Sequence, residues 1–499
     1  MTRHLIRRTH SVLALAALAG IGGCMVGPDY RQPALHSPEQ FIGANALGEH
    51  QANAPEVPFE RWWQGFADPV LDRLVDTALH ENLTLEQAMA RRAQARAYAQ
   101  GARAELFPVA RAGVDASHAR QSLQDPLVAT ERNVLPGFER SGSLYDAGVS
   151  SLWEIDLAGG LRRGAQAALA EYQAAQAGQA AARIQVAAGV IDGYLQVRLL
   201  QARLDVAERQ VRTQADIEGL VNTLKDRGLA PDRELQQSRA ELALSEAAVP
   251  ALRARLAAAR NHLDVLLGRQ PGTTDADLDH PAPLPSAPRI AAAGGSAALL
   301  RRRPDLIVAE RRLAAANERI GQALAEYYPK VSLSALLGST TTHAGNLLSS
   351  DAGKAAATLG LRWRLFDFGR VDAEVQGAKG GYAGQLAEYR QRVLEASAEV
   401  ETSISTLLEG ERRARLLDAS ERARASARDA VLASYRQGNA SHIELLETQA
   451  RLQAVQAERL DAEYAASASA VALYKALGGG WNGTAAEQPP SRHRSLALN

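Results

Sequence analysis

The sequence predicts a mainly α-helical chain with a membrane β-barrel contribution, written as two structural repeats. Each repeat joins long antiparallel helices to a β-hairpin. Three observations predict it. The 20 prolines are unevenly spread, with none from Gly137 to Ala230 and none from Lys330 to Gln488. Proline costs about 3 kcal/mol in a helix interior, so its absence is what long helices need. The chain also repeats itself. Leu85, Ala88, Arg91, Ala95, Ala104, Glu105 and Pro108 recur 221 residues later as Leu306, Ala309, Arg312, Ala316, Ala325, Glu326 and Pro329. Trp153, Gly159, Gly228, Glu234, Leu235, Leu267 and Gly268 recur 210 residues later as Trp363, Gly369, Gly438, Glu444, Leu445, Leu477 and Gly478. Finally, after each AE(L/Y)(F/Y)P motif the apolar period changes from helical to two.

The elements follow in chain order. Arg3, Arg7 and Arg8 precede the small apolar run SVLALAALAGIGG, which ends at the single cysteine, Cys24. A basic segment, a short apolar core and small residues make 1–23 a signal peptide. The apolar run is shorter than the roughly 20 residues a membrane helix needs. Ile21-Gly22-Gly23-Cys24 resembles the bacterial lipobox, so Cys24 is the expected site of a covalent lipid, and Met25 after it favours the outer membrane. An ordinary signal peptide with an incidental cysteine is the alternative. One cysteine supports neither a disulfide framework nor a Cys-based zinc cluster.

Residues 24–67 read as an N-terminal equatorial segment and 68–268 as the first repeat: a helix, strands at about 108–120 and 143–156, and a helical hairpin over 161–268. Residues 165–190 hold 12 alanines among 26. A helix from Leu161 to Lys225 would run roughly 100 Å at 1.5 Å per residue. Small residues along it would let neighbouring helices pack closely. Residues 269–303 read as a linker or equatorial segment. The second repeat, 304–481, has a helix, strands at about 330–339 and 357–367, and a helical hairpin over 370–478. Residues 482–499 read as a disordered polar tail.

In the strands, Ala110, Ala112, Val114 and Ala116 alternate with Arg111, Gly113, Asp115 and Ser117, and Tyr145 to Ile155 alternate with Asp146 to Asp156. Val331, Leu333, Ala335 and Leu337 form a third apolar row, and Leu359, Leu361, Trp363 and Leu365 a fourth. The joining segments 121–142 and 340–354 read as polar loops. One apolar and one polar face over about 10–13 residues suits a strand of an outer-membrane barrel. A soluble sheet with one wet face is the alternative. Four strands cannot close alone in lipid, so the membrane reading requires an oligomer.

At this point a family resemblance becomes visible. Cys24-Met-Val-Gly27-Pro28-Asp29-Tyr30 resembles the mature N-terminus of TolC-like outer-membrane efflux lipoproteins of the OprM/NodT type. So do Arg61-Trp62-Trp63 with Asp68-Pro69, Leu300-Arg301-Arg302-Arg303-Pro304-Asp305, and Leu473-Tyr474-Lys475-Ala476-Leu477-Gly478-Gly479-Gly480-Trp481. The resemblance implies a homotrimer whose chains give four strands each to a 12-stranded β-barrel in the outer membrane, above an α-helical barrel in the periplasm. It also implies the role: a passive exit duct for small, lipophilic or drug-like solutes. The implied partners are a periplasmic adaptor (membrane fusion protein), an inner-membrane RND-type pump and outer-membrane lipid. No cofactor is expected beyond the lipid on Cys24.

Gly228 and Gly438 stand where the long helices turn back, and glycine ends helices without conformational penalty. In the resembled family these turns are the periplasmic tip that meets the adaptor. That makes Gly228, Leu229, Ala230, Gly438, Asn439 and Ala440 candidate docking residues. Asp226 and Asp232 are candidates for a charged gate, against the simpler reading of solvated helix ends. Arg362 and Arg364, opposed by Asp115, Asp146 and Glu154, would face the barrel lumen and keep it wet.

Other functions find little support. With 56 Lys+Arg against 56 Asp+Glu, nucleic acid is not an expected partner. No HExxH, Walker or GxSxG pattern occurs, so no catalytic or metal site is expected. The competing class is a lipid-tethered structural protein or adaptor without a pore.

Overall fold

The computed structural model describes residues 25–34, 41–43, 58–134, 136–273, 276–286, 288 and 300–482. The signal peptide, Cys24 and all of the C-terminal tail beyond Asn482 lie outside them. The described chain divides into two compact units. The first comprises Met1–Gln32, Ala93–Tyr172 and Arg311–Ala387; the second comprises Pro33–Arg92, Gln173–Glu310 and Glu388–Asn499.

Duplication is visible in the element bounds. Helix α1 (Pro69–Glu81) leads to α2 (Leu83–Ala104), strand β1 (Val109–Arg120), helix α3 (Pro126–Val134) and strand β2 (Ser141–Ile155). The long helix α4 (Gly160–Asp226) and its return α5 (Asp232–Leu266) complete the first copy. The second copy runs α6 (Pro304–Ala325), β3 (Lys330–Thr341), β4 (Gly353–Arg362), α7 (Arg370–Arg436) and α8 (His442–Ala476). Helices α4 and α7 both hold 67 residues, and α5 and α8 both hold 35. Proline-free sequence accounts for α4, α7 and α8, whereas α5 continues through Pro250.

The first unit carries one antiparallel sheet in the order β1-β2-β3-β4, so β1 and β4 are its edges. Register keeps like faces together: Val114 opposes Ala147, Trp153 opposes Leu333, and Leu333 opposes Leu359. Below the sheet, Ala167 and Ala170 of α4 pack on Ala314 and Ala315 of α6, with Tyr30 against them.

The second unit is a layer of helices. Helix α4 pairs with α5 through Glu218–Arg239 (3.1 Å) and Glu208–Arg253 (2.9 Å). It meets α8 through Arg203–Asp461 (2.9 Å) and through Gln453, which donates to the Thr213 hydroxyl at 3.0 Å. Helix α8 in turn meets α7 through Gln456, which donates to Glu421 at 3.0 Å. A small cluster of Leu199, Val206 and Leu460 fills the α4–α8 seam.

Beside this layer, a 3-10 stretch, Phe59–Phe66, buries Trp62 and Trp63, and Trp62 stacks on Tyr474 with ring centroids 4.5 Å apart. Asp68 ties α1 to α4. Its carboxylate accepts from the Val70 and Leu71 amides at the start of α1, and from the Tyr194 hydroxyl at 2.5 Å. Burial and the Asp68 carboxylate push the Tyr194 phenol up to about 12, so it remains the donor at neutral pH. Asp68→Ala therefore removes a helix cap and strands a buried hydroxyl. The expected cost is about 2–3 kcal/mol, read as a lower melting temperature of the purified protein.

Two expectations need correction. The segment 121–142 is not all loop, because Asp125-Pro126 starts α3: the Asp125 carboxylate accepts from the Leu127 amide at 2.9 Å. The fourth strand ends at Arg362 rather than near 367. Beyond it, the Trp363 indole donates to the Tyr327 carbonyl at 2.9 Å, and the Asp367 carboxylate accepts from the Gly369 and Val371 amides to cap α7. Arg362 pairs with Lys330, the first residue of β3, so β3 offers no partner beyond it, although the apolar alternation of the chain continues.

Candidate functional site

The sheet sorts its side chains by face. Leu337, Leu359 and Leu361 lie on the apolar face and remain about 70% exposed on the single chain. On the other face, Asp115 stands opposite Asp146. Asp146 accepts from the Thr340 hydroxyl at 2.6 Å and forms an ion pair with Lys354. Lys354 reaches it across β3, where Gly148 opposes Gly338 and leaves the face bare. A Cβ on Gly338 would stand 2.5 Å from the Ala147 carbonyl oxygen, so this strand approach requires glycine.

The remaining lumen candidates divide. Glu154 opposes Ser332 on the polar face, and Arg362 opposes Lys330. Arg364 is not on the strand. It pairs with Glu326 (3.1 Å) and Glu374 (3.4 Å), carboxylates of the helix ends flanking the hairpin. Lys330 pairs with Glu326 as well. Charge of both signs is thus collected where the strands meet the helices.

The sequence reading passed over an aromatic band at that same end of the sheet. Phe107, Tyr327, Tyr328, Trp363, Phe366 and Phe368 are all substantially exposed. The Trp153 indole donates to the Leu106 carbonyl at 3.0 Å, as Trp363 does to Tyr327 in the second copy. Exposed aromatic rings beside an apolar sheet face have the composition of a membrane-interface girdle. The signal was present in the LFP and YYP motifs that precede β1 and β3.

The two helical turns are built alike. Gly228 (φ 73°) and Gly438 (φ 76°) adopt the left-handed conformation. The Gly228 amide donates to the Lys225 carbonyl and the Leu229 amide to the Leu224 carbonyl, both at 2.8 Å. Gly438 and Asn439 repeat those bonds at 2.9 Å with Tyr435 and Ser434. These are Schellman closures, which satisfy the last carbonyls of α4 and α7. Gly228, Leu229, Gly438 and Asn439 remain exposed, and Ala230 and Ala440 are half-buried.

Each turn is stapled differently across its base. In the first, Lys225 forms an ion pair with Asp232, and the ammonium holds that carboxyl below the usual range. In the second, the equivalent positions are Tyr435 and His442, whose rings stack at 5.2 Å. Asp232 is thus held within its own hairpin, at the first turn of α5. Asp226, the last residue of α4, belongs to the same turn.

Among the described residues no group of three or more His, Cys, Asp or Glu could hold a metal ion, and no helix is long and apolar enough to cross a membrane.

The chain matches the family described as outer membrane efflux protein over residues 74–269 and 296–479. It is 32% identical over 439 residues to the pyoverdine export outer membrane protein OpmQ of Pseudomonas putida, covering 86% of this chain and 90% of that one. It is 30% identical over 476 residues to the solvent efflux pump outer membrane protein SrpC of the same species, covering 94% of this chain and 98% of that one. Among solved structures, the outer-membrane channel OprN superposes with a TM-score of 0.79 at 32% identity, covering 92% of this chain and all of that one.

Proposed function

Because this chain belongs to the outer membrane efflux protein family, we propose that it is the exit duct of a tripartite pump, a homotrimer anchored by lipid on Cys24. The observation that carries the reading is the four-stranded sheet with one bare apolar face, one charged face and two open edges. In lipid every backbone group must be satisfied within protein, so an open sheet must close by recruiting further copies. Three copies supply a barrel in the size range of outer-membrane channels. Its lumen would be lined by Asp115, Asp146, Lys354, Arg362 and Glu154, a mixed-charge wall that admits solutes without strong selection by sign.

The helical turns supply the other contact. Gly228, Leu229 and Ala230, with Gly438, Asn439 and Ala440, would meet a periplasmic adaptor, which links the duct to an inner-membrane pump of the RND class. Asp226 stands as the gate candidate, while the Lys225 pairing of Asp232 supports a helix-end role for that residue. Relatives named for pyoverdine export and for solvent efflux support a duct whose cargo is chosen by its pump, and lipophilic or drug-like solutes are the proposed cargo here. Transport would be passive in this chain, with energy supplied by the partner.

Planar-bilayer recording of the purified protein tests this. The expected result is discrete conductance steps, larger after both turns around Gly228 and Gly438 are excised. No steps from either form would overturn the channel and leave a tethered structural protein.

A further inference from the structure

Arg163, in the first turn of α4, has its guanidinium almost fully buried, 1% exposed. Only one of its anionic partners is a buried neighbour in the helix pair: Nη1 donates to Glu318 of α6 at 2.8 Å. The other bonds go to the N-terminal segment. Nε donates to the Val26 carbonyl at 3.1 Å, and Nη2 donates to the Gly27 carbonyl at 3.1 Å and to Asp29 at 3.2 Å. Asn317 of α6 donates to the Pro28 carbonyl at 2.9 Å. The Val26 amide donates to the Ala158 carbonyl at 3.0 Å. A buried charge is stable only when paired and hydrogen-bonded, so Arg163 needs this segment as much as it holds it.

Three glycines make room for the segment. A Cβ on Gly27 (φ 94°) would stand 2.5 Å from the Gly321 Cα, and one on Gly159 (φ 81°) 2.8 Å from the Met25 Cα. A Cβ on Gly321 would stand 2.7 Å from the Arg163 Nε. The internal duplication supplies a control. At the matching positions of the other copy, Arg163 becomes Ala373, Asn317 becomes Arg96, Glu318 becomes Ala97 and Gly321 becomes Gln100. The counterpart helices, α7 for α4 and α2 for α6, form without these residues, so the repeated plan does not require them. They occur only where the N-terminal segment lies.

We propose that Arg163, Asn317, Glu318 and the three glycines form a clasp whose ligand is the chain's own residues 25–29, and that the clasp sets the membrane depth of the Cys24 anchor. The second half rests on the lipidation reading. Met25 is held at Gly159, just past the end of β2, at the aromatic-banded end of the sheet. Acyl chains on the preceding residue would therefore enter the leaflet that this band marks. The clasp also keeps the segment in place without the lipid. Arg163 is a positioning residue, acting through backbone carbonyls that a lysine cannot bridge together.

Cys24 is the chain's own single thiol, which makes the test direct. The full mature chain is secreted with a substitute cleavable signal that avoids acylation. Its thiol is then nitroxide-labelled, and the protein is reconstituted in phosphatidylethanolamine–phosphatidylglycerol vesicles. The expected spectrum is motionally restricted, with oxygen and nickel-chelate collision rates that place the label at the bilayer interface. Arg163→Ala and Gly27→Ala should release the label into water, and trypsin cleavage after Arg31 should become about tenfold faster. Arg163→Lys should restore only part of the restriction. Gly27→Ala lies in the segment and leaves the Arg163–Glu318 pair between α4 and α6 in place, so it remains informative if Arg163→Ala fails to fold. A label equally restricted in wild type and Gly27→Ala, with unchanged cleavage, would overturn the clasp. Mass spectrometry of Cys24 in the natively secreted chain tests the lipid separately: an unmodified thiol would overturn the anchor-depth role, while the spin-label result still decides the clasp.

Discussion

Replacing Leu337 and Leu359 together by arginine is expected to abolish outer-membrane insertion. Both side chains lie on the apolar face of the sheet and are 67% and 70% exposed on the single chain. An arginine on the lipid face of a barrel costs about 2–4 kcal/mol near the bilayer midplane, and the cost recurs in every copy of an oligomer. The control is Ser334→Arg on the opposite face, where the charge would meet the aqueous lumen and insertion should survive. Both variants belong in a Cys24→Ser background with a cleavable signal, so that no lipid holds the protein at the membrane. Density-gradient fractionation with a urea wash, followed by a heat-modifiability gel, separates inserted oligomer from periplasmic chain. Insertion of the double arginine variant alongside Ser334→Arg would mean that the apolar face packs on protein, and the barrel reading would fall.

That face was legible in the sequence because strand periodicity is a local property. Residues two apart share a side, so Val331, Leu333, Ala335 and Leu337 declare it without knowledge of their neighbours. The duplication was legible for a related reason: Gly228 and Gly438, or Trp153 and Trp363, are chemically unusual enough to mark equivalent places. What could not be read locally was where a pattern stops. Trp363 and Leu365 continue the alternation of β4, but β3 begins at Lys330, the partner of Arg362, so the ladder ends there. Arg364 therefore stands two residues beyond the strand, paired with Glu326 and Glu374 at the helix ends. The pairing of Asp146 with Lys354, 208 residues away, depends on register across two strand pairs, which no single strand specifies. The start of α3 is a different matter, since Asp125-Pro126 is an N-cap followed by the residue best suited to a first turn. The Arg163 clasp lay furthest from reach, because it depends on Gly27 meeting Gly321 in space.

Gly438→Asp is expected to stop transport while the assembled protein stays intact. The turn tolerates the change sterically: nothing lies within 4 Å of an added Cβ, so only the left-handed backbone (φ 76°) resists it. Aspartate visits that region more readily than most residues, at a cost of roughly 1 kcal/mol. Both Schellman bonds are made by main chain and can persist, and the Tyr435–His442 stack lies across the base of the turn. Docking is another matter. A carboxylate placed where a partner must exclude water loses its hydration, and disruption at the centre of such a contact costs about 2 kcal/mol or more, roughly thirtyfold in affinity. Gly438→Asn separates the two effects, because it demands the same backbone without adding charge and should keep most transport. Dye efflux in cells, an oligomer gel and co-purification of the adaptor would be read together. Normal efflux and normal adaptor recovery in Gly438→Asp would remove this turn from the docking surface. Loss of oligomer in both variants would instead show that the left-handed glycine is needed for the hairpin itself, a result the open surroundings of its Cα argue against.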